Sequence, residues 1–175
     1  MFEEHAKKIK LLILDVDGVM TDGRIIINDH GEELKFFDAK DGQGLKLLMN
    51  AGIEVAIISG RQSPAVDRRA ESLGIREVHQ GIAEKAPVIK ALMKQRGLKK
   101  EEVCCMGDDL PDLALFSQAG FPVAVADAVP EVLDAALFIT EKGGGNGAVR
   151  EVCELILKAG KLWPKVLSGF NRHEK

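Results

Sequence analysis

An apolar run that ends in two acids is the feature that most constrains the fold of this chain. Residues Leu11 to Leu14 are all aliphatic, and Asp15, Asp17 and Gly18 follow closely. Such a run is typical of a strand that is buried on both faces of a parallel sheet. Side chains at the carboxyl end of such a strand face the crevice where ligands bind in open α/β sheets. The segment predicts a polar site there, although two acids in a solvated loop would look the same.

Strand-like and helix-like segments alternate along the chain, which predicts an α/β fold with a Rossmann-like parallel sheet flanked by helices. The predicted strands are Leu11–Leu14, Glu54–Ile58, Glu77–His79, Val103–Met106, Val123–Val125 and Leu137–Ile139. The predicted helices are Gly44–Asn50, Pro64–Leu73, Lys85–Gln95, Asp112–Gln118 and Ala148–Ala159. The length of 175 residues suits a single domain that spans residues 1–175.

An inserted β-hairpin at about residues 24–37 interrupts the alternation, with its turn at Asp29-His30-Gly31. A two-stranded hairpin is not stable alone in water, so we expect its apolar residues to pack on the domain or on another subunit. No large cap domain fits, because only 44 positions separate Asp15 from Ser59 and only 26 separate Ser59 from Lys85. The tail at about 161–175 is either a frayed terminus or a segment that docks on a neighbour.

Composition excludes several classes of protein. A net charge of −3 argues against a general nucleic-acid binder, and no apolar run approaches the ~20 residues of a membrane span. Three cysteines, two of them inside a predicted strand, do not make a disulfide framework and fit a reducing cytoplasm. The four histidines lack the spacing of a zinc site. The chain is therefore expected to be a cytoplasmic globular protein with no membrane or nucleic-acid partner.

Later strand ends carry further polar residues. The segment Ser59-Gly60-Arg61 follows the second predicted strand, and Gly107-Asp108-Asp109-Leu110-Pro111-Asp112 follows the fourth. Lys85 begins the helix after the third strand. In a doubly wound sheet these ends converge at one edge. Taken alone, Ser59 could cap a turn and Lys85 could be a solvated helix residue, but three acids directly after an apolar strand call for a cation or basic partners.

This set of side chains suits phosphoryl transfer through an aspartyl-phosphate. The chemistry needs a carboxylate nucleophile and a second acid that protonates the leaving oxygen and later activates water. It also needs a divalent cation, because carboxylate and phosphate repel each other, and Mg²⁺ prefers oxygen ligands. Fixed donors must hold the phosphoryl oxygens, a role that Ser59 and Lys85 can fill.

The four motifs resemble those of the haloacid dehalogenase superfamily. Within it, the chain is similar to the 3-deoxy-D-manno-octulosonate 8-phosphate phosphatase family over roughly residues 9–160. The segments that carry this closer resemblance are Asp15-Val16-Asp17-Gly18-Val19-Met20-Thr21-Asp22-Gly23, Phe37-Asp38-Ala39-Lys40-Asp41-Gly42, Val123-Ala124-Val125-Ala126-Asp127-Ala128 and Gly147-Ala148-Val149-Arg150-Glu151. Dehalogenases of the superfamily lack the second acid, so Asp17 favours a phosphatase.

The resemblance implies a role for each site residue. Asp15 is the nucleophile and a Mg²⁺ ligand, and Asp17 is the general acid/base whose backbone carbonyl binds the metal. Asp108 completes the protein ligands of the metal, and Asp109 and Asp112 support that metal shell and Lys85. Residues that bind the phosphoryl group are Ser59, Gly60 and Lys85. Residues that contact the substrate are Asp17, Asp38, Ala39, Lys40, Asp41, Gly42, Arg61, Arg69 and Lys85.

The function predicted on these grounds is Mg²⁺-dependent hydrolysis of a sugar-acid phosphate, in a homotetramer of the kind that the family forms, within lipopolysaccharide biosynthesis. The hairpin and tail of neighbouring subunits would replace a cap. Two alternatives stay open at this point. One is a sialic-acid 9-phosphate phosphatase or a broad-range sugar phosphatase. The other is a non-catalytic module for assembly or regulation, against which the intact set of acids, Ser59 and Lys85 weighs.

Overall fold

A parallel sheet of six strands forms the centre of the protein. The structure is a computed structural model and describes residues 2–170. The strands of the sheet are Leu11–Leu14 (β1), Glu54–Ile58 (β4), Glu77–His79 (β5), Val103–Gly107 (β6), Phe121–Ala124 (β7) and Phe138–Ile139 (β8). The order across the sheet is β5-β4-β1-β6-β7-β8. All four residues of β1 are buried, as expected for the central strand of a sheet covered on both faces. The predicted α/β class is confirmed.

Helices connect and cover these strands. They are Glu3–Ala6 (α1), Ala39–Asn50 (α2), Pro64–Leu73 (α3), Lys85–Arg96 (α4), Leu113–Phe116 (α5), Pro130–Ala135 (α6), Ala148–Ala159 (α7) and Trp163–Phe170 (α8). Helix α7 packs on α1, α2 and α8, while α5 packs on α4 and α6. One contiguous apolar core lies between the helices and the sheet. No helix within residues 2–170 is long and apolar enough to cross a membrane.

Several helices differ from the prediction: α1 was not predicted, α5 is shorter than the expected Asp112–Gln118, and α2 and α6 differ for reasons visible in the structure. Helix α2 begins five residues earlier than expected, because the Asp38 carboxylate caps it and accepts hydrogen bonds from the backbone N–H of Lys40 at 2.6 Å and Asp41 at 2.9 Å. Helix α6 was not predicted at all. It is short and starts with Pro130 at its first position, a start signal that the sequence analysis missed.

The inserted hairpin pairs Ile26–Ile27 (β2) with Glu33–Leu34 (β3) in an antiparallel ladder, which is shorter than the predicted arms. The Asn28 side chain accepts hydrogen bonds from the backbone N–H of His30 and Glu32 and so holds the turn. Most of the apolar residues of the hairpin are exposed to solvent. The exposed fractions are 44% for Ile25, 63% for Ile27, 46% for Leu34 and 68% for Phe36.

Residues Trp163–Phe170 form a helix rather than a frayed end, and this helix packs on its own domain. Leu162, Trp163 and Val166 lie against the core, and the Trp163 ring lies below the guanidinium of Arg150 and the ammonium of Lys158. The expectation of a frayed terminus was therefore wrong for residues 163–170, while docking on a neighbouring subunit stays a prediction. The last five positions, 171–175, lie outside the described residues.

Candidate active site

The ends of three neighbouring strands bring the predicted site residues to one edge of the sheet. Strand β1 lies between β4 and β6, with Leu14 in register with Ile57 and Met106. Asp15, Ser59 and Asp108 follow the ends of these strands. The convergence that the sequence predicted follows from this register.

Lys85 lies between two acids at the start of α4. Its Nζ donates hydrogen bonds to Asp15 Oδ1 at 2.6 Å and to Asp112 Oδ1 at 2.7 Å, and all three side chains are buried. The second oxygen of Asp112 accepts from the backbone N–H of Asp108 at 3.0 Å. A buried lysine that links two acids orients both of them, because neither can turn away without leaving a buried charge unpaired.

Negative charge accumulates in this group, which we call the acid cluster: Asp15, Asp108 and Asp112. One carboxylate oxygen from each lies within 4.8 Å of the others. Burial, and next the charge of Asp112, raises the pKa of Asp15 above its usual range. Burial, with the charges of Asp15 and Asp112, raises the pKa of Asp108 to about 8. Burial would lower the pKa of Lys85, but Asp15 and Asp112 outweigh it and raise the pKa.

These features fit a divalent cation. Three carboxylates in one small space repel each other, and a single lysine does not cancel their charge. All the available donors are oxygen atoms, which Mg²⁺ prefers. The acid cluster could therefore hold such an ion.

Glycine residues leave the space that the acid cluster occupies. Gly18 has φ +92°, and a Cβ there would lie 2.0 Å from Asp108 Oδ2. Behind it, a Cβ on Gly144 would lie 1.8 Å from the carbonyl oxygen of Gly18. The backbone N–H of Gly145 also donates to the carbonyl of Val19 at 3.0 Å. The glycine-rich loop after β8 thus supports the loop that carries the two acids.

Asp17 lies beside the acid cluster, in contact with the hairpin of its own chain. Lys35 donates a hydrogen bond to Asp17 Oδ1 and pairs with Glu33 Oε1 at 2.7 Å. Arg61 donates to Glu33 Oε2 at 2.6 Å, and its Nε lies 3.6 Å from Asp17 Oδ2. The pKa of Glu33 is lowered, chiefly by the hydrogen bond from Lys35 and next by that from Arg61. The site therefore includes two hairpin residues, Glu33 and Lys35, that the sequence analysis missed.

The remaining residues assigned to the phosphoryl group and to the metal shell differ in burial. Ser59 is buried, and its Oγ accepts from the backbone N–H of Arg61 at 3.4 Å. Gly60 is exposed at the same turn. Asp109 is exposed as well, and its carboxylate accepts from the backbone N–H of Leu110 at 2.7 Å. Asp112, by contrast, makes the contacts with Lys85 and with the Asp108 backbone that were expected of a supporting residue.

A second group of candidate residues forms the first turn of α2. Ala39 and Lys40 are exposed, while Asp41 and Gly42 are buried. Asp41 accepts from the backbone N–H of Arg150 on α7 at 2.8 Å, and burial raises its pKa to about 6.

Arg69 belongs to this second group through its contacts with residues 37–42. Its Nη2 donates to the carbonyl of Asp38 at 3.0 Å, and its guanidinium lies over the Phe37 ring. Arg69 Nη2 also occupies the place of a Gly42 side chain, since a Cβ on that glycine would lie 2.3 Å from it. Arg69 therefore fixes the first turn of α2, whatever else it binds.

Comparison with known proteins places the chain in a family. A family model for haloacid dehalogenase-like hydrolases matches residues 74–152. The chain is 46% identical over 156 residues to the 3-deoxy-D-manno-octulosonate 8-phosphate phosphatase of Yersinia pestis, a match that covers 89% of this chain and 83% of that protein. The chain belongs to the 3-deoxy-D-manno-octulosonate 8-phosphate phosphatase family.

Solved structures of this phosphatase family share the fold. A phosphatase of the same name from Moraxella catarrhalis, in complex with magnesium, phosphate and the sugar acid, is 45% identical with a TM-score of 0.94, over 97% of this chain and 98% of that one. The cobalt-bound phosphatase of Haemophilus influenzae is 43% identical with a TM-score of 0.86, over 90% of this chain and 92% of that one. Family members thus bind divalent cations and the free sugar acid.

Proposed function

We propose that the chain is a Mg²⁺-dependent phosphatase that hydrolyses 3-deoxy-D-manno-octulosonate 8-phosphate to the free sugar acid and phosphate, a step of lipopolysaccharide synthesis. The observation that carries the proposal is the buried contact of Lys85 with Asp15 and Asp112 beside Asp108. That arrangement supplies a fixed nucleophile, a cation for the phosphoryl group and oxygen ligands for a metal. The Moraxella catarrhalis relative, which binds magnesium, phosphate and the sugar acid, supports the choice of substrate.

Asp15, Asp108 and the backbone carbonyl of Asp17 are the proposed metal ligands. When bound, Mg²⁺ offsets the repulsion between the Asp15 carboxylate and the phosphoryl oxygens. Asp112 holds Lys85 and the Asp108 backbone in place, and Asp109 supports the turn through its hydrogen bond to Leu110.

The reaction takes two steps. In the first, Asp15 forms a bond to phosphorus while the bond from phosphorus to the sugar oxygen breaks, and Asp17 gives its proton to that oxygen. In the second, Asp17 removes a proton from a water molecule as the water oxygen bonds to phosphorus and the aspartyl bond breaks. Lys85, the Ser59 hydroxyl and the backbone N–H of Gly60 bind the phosphoryl oxygens in both steps.

Contacts with the sugar acid are assigned to residues around the acid cluster. Arg61 is the candidate for the carboxylate of the sugar acid, because this exposed guanidinium already lies beside Asp17. The first turn of α2 (Asp38, Ala39, Lys40, Asp41 and Gly42) and Arg69 are the further candidates for substrate contacts. Of these, Ala39 and Lys40 present exposed side chains, while Asp41 engages α7 through Arg150.

Assembly into a homotetramer is part of the proposal. Its support is the exposed apolar side chains of the hairpin at Ile25, Ile27, Leu34 and Phe36, which a monomer seldom leaves in water. Because the hairpin lies next to Asp17, subunits that meet there would enclose the site. We also propose a cytoplasmic location, which the three buried free cysteines support.

A substrate panel tests the proposal. Phosphate release should be fastest from 3-deoxy-D-manno-octulosonate 8-phosphate and should stop when Mg²⁺ is chelated. Faster phosphate release from a sialic-acid 9-phosphate, or equal release from common sugar phosphates, would overturn the assigned substrate. The relatives favour neither of these two substrate classes. If no compound releases phosphate in a Mg²⁺-dependent way, the non-catalytic module becomes the favoured function.

The metal ligands have a matched pair of variants. Asp108→Asn should raise the Mg²⁺ concentration needed for half-maximal activity and lower the rate. Asp109→Asn changes the neighbouring carboxylate, which is exposed and whose described contacts are with the backbone of Leu110 and Asp112, so its effect should be much smaller. Equal effects of the two variants would remove Asp108 from the metal site.

A further inference from the structure

Four charged side chains form a closed ring beside the acid cluster. Asp17, Lys35, Glu33 and Arg61 alternate in charge around it, and each contacts the next. The ring joins three separate parts of the chain: the loop after β1, strand β3 with the residue that follows it, and the turn after β4. Its net charge is zero, so its members satisfy each other without an outside ion.

The two oxygens of Asp17 are held differently. Oδ1 accepts a hydrogen bond from Lys35, whose side chain is 1% exposed and whose Nζ is itself fixed by Glu33. Within residues 2–170, the contact given for Oδ2 is with the Nε of Arg61 at 3.6 Å, beyond hydrogen-bond distance, and the Arg61 side chain is 51% exposed. One oxygen is therefore anchored by a buried cation, and the other has no hydrogen-bond donor among the described contacts.

We propose that Lys35 is the positioning residue for proton transfer: it holds Asp17 Oδ1 and leaves Oδ2 as the oxygen that exchanges the proton with substrate and water. The inference rests on the proposed role of Asp17 as general acid/base. Lys35 donates no proton and touches no reacting atom. It acts by fixing the carboxylate, in the way that a second group orients the base in other acid–base pairs.

The proton passes through one oxygen in both steps. As the bond from phosphorus to the sugar oxygen breaks and the bond from Asp15 forms, the proton on Asp17 Oδ2 moves to the sugar oxygen. As a water oxygen bonds to phosphorus and the aspartyl bond breaks, a water proton returns to Oδ2. The ammonium of Lys35 keeps its contact with Oδ1 throughout, so the carboxylate does not rotate between the steps.

The hairpin thus has a chemical role within its own chain, separate from any subunit contact. Its strand β3 carries Glu33, which fixes Lys35 at 2.7 Å, and Lys35 reaches back to the loop after β1. If the hairpin moves, Asp17 loses its anchor while Asp15 and Lys85 keep theirs. Proton transfer then fails before phosphoryl binding does.

Leaving-group dependence tests this role. Lys35→Met should slow single-turnover transfer from the sugar-acid phosphate by about 10- to 100-fold, as expected when an acting group is misplaced by about 1 Å. The same variant should change transfer from nitrophenyl phosphate much less, because nitrophenolate leaves without a proton. Glu32→Gln is the matched control, since Glu32 is exposed and contacts Asn28 rather than Asp17, and it should change neither rate.

A second variant covers the case in which Lys35→Met does not fold, as judged by thermal unfolding and light scattering. Glu33→Gln keeps Lys35 but weakens its second anchor, and it should give a smaller loss with the same dependence on the leaving group. Equal losses on both substrates, for whichever variant folds, would overturn the proposal, since they indicate a structural role only.

A double-mutant cycle separates this inference from the assignment on which it depends. Lys35→Met should add no further loss on the sugar-acid phosphate once Asp17→Asn is present. Independent, multiplicative losses would overturn the positioning role of Lys35. If Asp17→Asn alone slows both substrates equally, the acid/base assignment of Asp17 fails, and the proposal for Lys35 falls with it.

Discussion

Replacing Gly18 by alanine should disable the metal site while leaving the fold in place. A Cβ at this position would lie 2.0 Å from Asp108 Oδ2, whereas ordinary van der Waals contact begins near 3.4 Å. The Asp108 carboxylate must therefore retreat by about 1.4 Å, the difference between these two distances. A displacement of about 1 Å at a reacting centre costs about 100-fold in rate. We expect kcat/KM to fall by at least that factor and the required Mg²⁺ concentration to rise.

Gly23→Ala provides the control for backbone strain. Gly23 also has a left-handed backbone, with φ +80° against +92° for Gly18, and its N–H donates to the same Thr21 hydroxyl. A Cβ on Gly23 would meet nothing closer than 3.5 Å. Both variants should lose roughly 1–2 kcal/mol of unfolding free energy, the cost of placing alanine in that conformation. Only Gly18→Ala adds the collision with Asp108.

The assay is phosphate release over a Mg²⁺ titration, with unfolding of the metal-free protein measured in parallel. The expected result is two variants of similar stability, of which one is active. If Gly18→Ala retains the activity and the Mg²⁺ dependence of Gly23→Ala, the room left by Gly18 is not needed for the position of Asp108, and the reasoning is refuted.

Three further outcomes are expected. Asp15→Asn should abolish turnover and leave the metal-free protein at least as stable at pH 8, because it removes one charge from a repelling cluster; residual turnover in a clean preparation would exclude Asp15 as nucleophile. Ile27→Asp combined with Phe36→Asp should shift the protein to smaller species in light scattering, and unchanged assembly would place the subunit contact elsewhere. Burial raises the pKa of Asp41 to about 6, so folding favours the protonated carboxyl. The stability that the protonated carboxyl contributes is fully present below about pH 4 and is lost as the pH rises through 6. Relative to wild type, Asp41→Asn should therefore gain about 3 kcal/mol of unfolding free energy between pH 4 and pH 7.5 in urea titrations, and a constant difference between the two proteins would contradict that pKa.

The elements that the sequence predicted well are those with local signals. Helix α3 matches its predicted bounds because Pro64 marks its start and Gly74, at φ +83°, its end. Strand β1 and the convergence of Asp15 with Lys85 follow from the alternation of strands and helices. These predictions needed no knowledge of particular side-chain contacts.

Gly42 and Gly44 both lower helix propensity, and the predicted helix began only at Gly44, five residues after the true start of α2. The reason for these glycines is visible only in three dimensions. A Cβ on Gly42 would lie 2.3 Å from Arg69 Nη2, and one on Gly44 would lie 3.0 Å from the Cδ of Arg150. Close packing across the helix outweighs local propensity, and sequence alone does not report such packing.

Lys35 and Glu33 were missed for a similar reason. Their contacts with Asp17 depend on how the hairpin folds back, and a short exposed ladder gives little indication of that. The only sequence signal was a pair of opposite charges, two residues apart, within an otherwise apolar arm. That spacing places both side chains on one face of a strand.

The position of β1 in the sheet governs when the protein can fold during its synthesis. Leu11 pairs with Glu54 on one side and with Val103 on the other, so β1 needs partners that are synthesised well after it. Until Val103–Gly107 has emerged, the aliphatic residues of β1 lack one neighbour and are exposed to aggregation. Contacts so distant in sequence also slow folding. The site that brings Asp15 together with Asp108 and Asp112 therefore forms only after β6 has been synthesised.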